Sequence, residues 1–191
     1  MAVAFIEYFV IFVILLILIW YAWQTYDSEV EYIRSNIDKR RYLVKSMPDK
    51  QEAADMLASI NQDLVRLIKH LQVKYPEWEV TKLLYKNYDP DAISEGSPDS
   101  GYTSYSVNKG EKLVICIRNT DMSFVEKNVI LYPAIHEVAH IGTHEVGHTP
   151  LFWSNFKVIL QEAINIGVYK KVDFKNNPTD YCSIKITSSV V

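Results

Sequence analysis

The chain has 191 residues, enough for one modest domain with its own core. Its 20 Lys and Arg against 23 Asp and Glu leave a net charge of -3, which excludes a global basic balance able to recruit nucleic acid or anionic lipid. Two cysteines, Cys116 and Cys182, are too few for a disulfide framework; they read as buried apolar thiols of a reducing compartment, with a single bridge left open.

In chain order, the run from Tyr8 to Tyr26 carries no charge and is dense in Ile, Leu, Val and Phe. As a helix it covers about 30 Å, the thickness of a hydrocarbon core. It lacks the polar stripe of a core helix. Glu7 stands where a signal peptide wants a basic start, and the exit Trp20-Tyr21-Ala22-Trp23 suits a membrane interface. The expectation is a retained transmembrane anchor over residues 1–26, in the membrane through residues 4–26. Arg34, Lys39, Arg40, Arg41 and Lys45 follow the span and no Lys or Arg precedes it. The positive-inside bias then makes this a single-pass membrane protein with a cytosolic C-terminal domain.

Residues 27–47 form a juxtamembrane segment ending in a short strand at Tyr42 to Val44. Pro48-Asp49 opens a helix, with Asp49 and Glu52 spaced as a capping box. Ala53, Met56, Leu57, Ile60, Leu64, Leu67, Ile68 and Leu71 make its apolar stripe. A shorter helix is expected from Glu77 to Lys86, and a loop over residues 89–101, rich in Pro, Ser, Gly and Asp. Thr103 to Val107 and Lys112 to Arg118 flank Asn108-Lys109-Gly110-Glu111, a hairpin turn. Glu126 to Ile141 reads as helix. Thr149 at the N-cap and Pro150 at the first helical position start another, reaching Gly167, with Phe152, Phe156, Ile159, Leu160 and Ala163 as its buried face. Tyr181 to Thr187 alternates as one more strand. The class is α+β, with residues 48–191 as the folded domain.

The chemistry centres on His136-Glu137-Val138-Ala139-His140. Residues four apart lie one turn apart on one helix face, so both imidazoles can reach one metal. Leu131, Ala134, Val138 and Ile141 fall on the opposite side, where they can pack into the core. Glu137 is offset by about 100° from His136, beside the ligand pair. Zinc (Zn2+) suits this set, because it binds neutral imidazole and tolerates three protein ligands plus water. A zinc-activated water can then hydrolyse a peptide bond, with Glu137 as general base and acid.

Three residues compete for the third ligand. His144 continues the i, i+4 series but lies two turns from His136, and Gly142 suggests that the helix ends before it. His148 follows Gly147, where the chain can turn back, and precedes the next helix. Glu162 lies on that helix, about where a glutamate-ligand zincin places its third ligand. His148 ranks first, Glu162 second and His144 third. His70 reads as a polar position at the end of its helix.

The run from His136 to His140, then Gly147-His148-Thr149-Pro150-Leu151-Phe152-Trp153, resembles the WLM and SprT-like zinc metallopeptidases, with an HExxH helix, a short loop and a histidine ahead of a Phe-Trp helix start. The likeness extends from Pro48-Asp49-Lys50-Gln51 through Thr103 to Gly110 and on to Tyr181-Cys182. It is similar to uncharacterised membrane-anchored WLM-like proteins of large DNA viruses. The resemblance implies a minimal zincin fold, His136, His140 and His148 as zinc ligands, and Glu137 as the catalytic acid-base. It also implies that Thr103 to Val107 lie near the cleft. One departure is Pro133, three residues before His136, which either starts the helix or kinks it.

The expected function is therefore a membrane-anchored zinc-dependent peptidase acting on a protein or peptide. The alternatives are a catalytically silent zinc-binding structural domain at a membrane, and a DNA–protein crosslink protease. The intact Glu137 argues against the first. The second lacks a basic patch beyond Lys39-Arg40-Arg41, so nucleic acid is not an expected partner.

Overall fold

The computed structural model describes residues 2–25, 29–98 and 103–191, with the side chains of residues 2–8 and 21–25 outside that description. Its elements in order are α1 (Ala2–Thr25), β1 (Val30–Arg34), β2 (Arg41–Lys45), α2 (Lys50–Lys74), α3 (Glu79–Asn87) and β3 (Ile93–Gly96). There follow β4 (Ser104–Val107), β5 (Lys112–Cys116), α4 (Lys127–Gly142), α5 (Pro150–Asn165), β6 (Thr179–Tyr181) and β7 (Ile184–Ile186).

The expected membrane anchor is corrected. Among the described residues, no helix is long and apolar enough to cross a membrane. The single-pass localisation, the cytosolic orientation and the membrane as a partner rested on that anchor and fall with it. Tyr8, the exit aromatics Tyr21 and Trp23, and Tyr26 lie outside the described side chains.

Five strands form one sheet in the order β1-β2-β3-β5-β4. The β1–β2 and β4–β5 pairs are antiparallel, while β2–β3 and β3–β5 run parallel, which leaves β4 as an edge. Residues 30–45 thus build two strands of this sheet. The helix α2 lies against β2 and β3, and α4 packs on α3, α5 and β4. The apolar stripe of α2 is why it sits there: Leu57, Ile60, Leu64 and Leu67 are fully buried. Each such side chain contributes about 1.5–3 kcal/mol through loss of contact with water.

Two local expectations fail for one reason. Asp49 occupies the N-cap of α2 but makes no side-chain cap bond. Its carboxylate instead accepts from both terminal nitrogens of Arg118, at 2.7 and 2.8 Å. Arg118 is wholly buried, over the ring of Phe124, and its Nε donates to Glu95 at 2.7 Å. Glu95 belongs to β3, a strand within the stretch expected to be loop. The run Ile93-Ser94-Glu95-Gly96 has poor strand propensity. It is stabilised from afar by Arg118 and by the main-chain N–H of Lys45, which donates to Glu95 at 2.7 Å. A buried charge needs such partners, and neighbours in sequence do not reveal them.

The C-terminal segment is a hairpin, β6 with β7, rather than one strand. Its turn places Cys182 at φ 56°, and Cys182 is disulfide-bonded to Cys116 at the end of β5, with the Cα atoms 6.4 Å apart. The reading of two separate thiols is therefore corrected: the fold brings their backbones within bridging range. The buried Tyr181 hydroxyl adds a polar fastening, 2.9 Å from the Cys116 carbonyl and 2.6 Å from Ser104 Oγ.

Candidate metal centre

The helix α4 continues through Pro133, which neither starts nor ends it. Its apolar face, including Leu131, Ala134, Val138 and Ile141, is buried as the spacing requires. That packing turns His136 and His140 toward an open cleft of about 880 Å³. The helix ends at Gly142. Gly147 then adopts φ +85°, a left-handed conformation that lets the chain turn back. Thr149 caps α5, accepting from the Phe152 N–H at 3.2 Å, with Pro150 beginning the helix. His148 is held between these two devices.

The three imidazoles converge. Nε2 of His140 lies 3.1 Å from that of His136 and 3.3 Å from that of His148, and the His148–His136 distance is 2.9 Å. Tetrahedral zinc with bonds of about 2.0–2.1 Å holds its ligand nitrogens about 3.3–3.4 Å apart, so this donor set fits the ion. The helix α5 orients each ring. Phe152 stacks on His140 at 4.1 Å between centroids, Trp153 stacks on His148 at 5.3 Å, and Phe156 meets His136 edge-on at 5.1 Å. The spacing marked Phe152 and Phe156 only as a buried face. Their role in holding the rings is visible once α5 lies across α4.

Burial, with the neighbouring histidines adding to it, lowers the pKa of His136 to about 3. Burial, with His148 and the Lys109 ammonium adding to it, lowers His140 to about 4. Both are therefore neutral near pH 7, the form that ligates a metal. Glu137 is buried at the cleft, and desolvation raises its carboxyl to about 7, partly offset by hydrogen bonds from the hydroxyl and main-chain N–H of Ser106 on β4. A carboxyl poised there can both take and return a proton at neutral pH. The cleft is further lined by Tyr105 of β4, Tyr132 of α4 and residues 184–188 of the C-terminal hairpin.

The other candidates lie apart. The His144 side chain is 65% exposed and stands near Glu145. Glu162 is buried against α2, where Lys74 Nζ donates to it at 2.7 and 2.9 Å, Tyr75 Oη at 3.1 Å, and His70 Nε2 lies at 2.7 Å. Burial alone would raise its carboxyl, but these bonds hold it down at about 2. The group of described residues able to share one ion is His136, His140 and His148.

No family model matches the chain. It is 29% identical over 169 residues to Uncharacterized protein R325 of Acanthamoeba polyphaga mimivirus, covering 86% of each chain. It is 27% identical over 124 residues to Uncharacterized protein 136R of Invertebrate iridescent virus 6, covering 61% of this chain and 68% of that one. Among solved structures the fold is similar to the crystal structure of Wss1 from Saccharomyces cerevisiae, with a TM-score of 0.51 and 18% identity over 65% of this chain and 87% of the other. What the chain shares with Wss1 is its fold.

Proposed function

We propose that this chain is a zinc-dependent peptidase, with His136, His140 and His148 as metal ligands and Glu137 as general base and acid. The observation that carries the reading is the convergence of three imidazole Nε2 atoms within 3.3 Å of one another, at the floor of an open cleft. The Wss1-like fold and the resemblance of the His136–Trp153 run to WLM and SprT-like metallopeptidases agree with it. A bound zinc ion supplies Lewis acidity, which polarises a carbonyl and makes a water easier to deprotonate.

The residues of the chain do the rest. Glu137, poised near neutrality beside the histidines, accepts a proton from the attacking water and returns it to the departing amine. Ser106 holds that carboxylate against the edge strand. The edge strand β4 lines the cleft, where an extended segment of substrate can lie alongside it. A protein or peptide is therefore the substrate class. A silent zinc domain has no use for a buried carboxyl at the cleft, which disfavours that alternative.

The test uses the purified full chain, its metal content and its hydrolysis of a denatured protein. About one zinc per chain, with activity lost on chelation and restored by zinc, is the expected result. A chain that hydrolyses equally well after complete metal removal overturns the reading.

A further inference from the structure

Lys109 lies at the tip of the β4–β5 hairpin and lines the cleft, yet its ammonium points at protein. Its Nζ donates to the carbonyl oxygens of Thr143 at 2.7 Å, Glu145 at 2.5 Å and His140 at 3.3 Å. An ammonium has three donors, so these carbonyls use all of them and leave none for a substrate. The carbonyls are not arbitrary. One belongs to His140 itself, at the end of α4, where the last turn leaves acceptors without helical partners. The others belong to the segment between α4 and His148. Thr143 is tied in turn to α5, its hydroxyl accepting from Asn155 Nδ2 at 3.0 Å with both residues buried.

The hairpin is shaped to deliver this side chain. Asn108, Lys109 and Gly110 take φ values of 45°, 59° and 116° in succession. Left-handed backbone is uncommon outside glycine, so a lysine there marks a constrained turn. At Gly110 any Cβ would collide with the Asn87 carbonyl oxygen. Asn108 Nδ2 bonds Glu111 at 2.6 Å, and the Gly110 N–H bonds the Val107 carbonyl at 3.0 Å, so the turn is locally fixed.

We propose that Lys109 is a positioning residue for the metal site, joining the carbonyl end of α4 to the segment that carries His148. This rests on the reading of the three histidines as zinc ligands. Two of those ligands lie on the helix and the third lies beyond its end. Their relative placement therefore depends on how that end is fixed, and a cation at a helix C-terminus also suits the helix dipole.

The experiment compares the full wild-type chain with Lys109→Met, which keeps an apolar stem and removes the donors, and with Lys109→Arg. Zinc affinity is measured by chelator competition at fixed pH, and the visible spectrum of the cobalt-substituted protein reports ligand geometry. The expected result is zinc binding weakened about 10- to 100-fold in Lys109→Met, as for loss of an outer partner of a metal ligand. Altered cobalt bands and partial recovery in Lys109→Arg should accompany it. Charge alone predicts the opposite sign, because removing a cation near a divalent ion favours the ion. Unchanged or tighter zinc with unchanged cobalt bands overturns the proposal, even if Lys109→Met melts at a lower temperature. Should Lys109→Met not fold, Lys109→Gln is read by the same two measurements and the same criteria. A wild-type chain that binds neither metal overturns the histidine reading itself, and the proposal with it.

Discussion

The Glu162 cluster and the three-histidine cluster both rest on α5, and they are built on opposite electrostatic terms. Around Glu162 each charge is answered: Lys74, Tyr75 and His70 from the end of α2 surround one carboxylate. Around His136, His140 and His148 the ring nitrogens face one another, and burial has lowered the proton affinity of two of them. The first arrangement is complete as it stands and clamps two helices. The second brings three ring nitrogens close enough together that they could hold one metal ion. Both contain residues that spacing alone offers as metal ligands. Their surroundings separate a fastener from a site.

The sharpest test of this contrast lies next to the histidines. Glu137→Gln should keep zinc and the fold while lowering hydrolysis about 100- to 10,000-fold, measured as turnover of a denatured protein by the pure variant. Undiminished turnover would remove Glu137 from its role. Next, His148→Ala should weaken zinc by more than the roughly 10–100-fold typical of an outer partner, whereas Glu162→Ala and His144→Ala should leave it within a few-fold, assayed at one pH. Zinc lost with Glu162 and kept without His148 would invert the comparison.

The Glu162 cluster should show itself in stability. Glu162→Gln leaves donors unanswered and should cost about 1–3 kcal/mol at pH 7, read by urea unfolding. The sign of its pH dependence follows from the depressed carboxyl. The folded value of about 2 lies below the ordinary 4.5, so the wild-type advantage is full above pH 4.5 and fades as pH falls toward 2. A difference that stays constant across that window would mean that the carboxylate charge is not what holds α2 to α5. The smallest effect belongs to the boundary of the site. Thr149→Ala removes the cap of α5 and should cost about 1 kcal/mol in the same assay.

What could be read from the residues follows the range of the forces involved. The helix carrying His136, Glu137 and His140, the turn at Gly147 and the cap at Thr149 rest on contacts a few residues apart, so spacing exposes them. The same holds for the stripe of α2 and the hairpin turn at Asn108 to Glu111. Strand β3 was hidden because Glu95 becomes a strand residue only when Arg118, 23 positions away, buries its charge. The capping box at Asp49 was outbid by the same arginine from 69 positions away. The pairing of Cys116 with Cys182 needed the C-terminal hairpin to be folded against β5. The membrane anchor read from the apolar run after Tyr8 is the expectation that the described helices do not support.

The disulfide has a topological consequence for the site. It joins positions 66 apart, and His136, Glu137, His140 and His148 all fall between them. The whole constellation therefore sits on one closed ring of covalent bonds. In the chain-entropy treatment, a ring of that size removes about 4 kcal/mol worth of freedom from the unfolded chain. A single cut within the ring opens it without dividing the molecule. The oxidised product stays in one piece and gains one water in mass, and two fragments part only when the sulfurs are reduced.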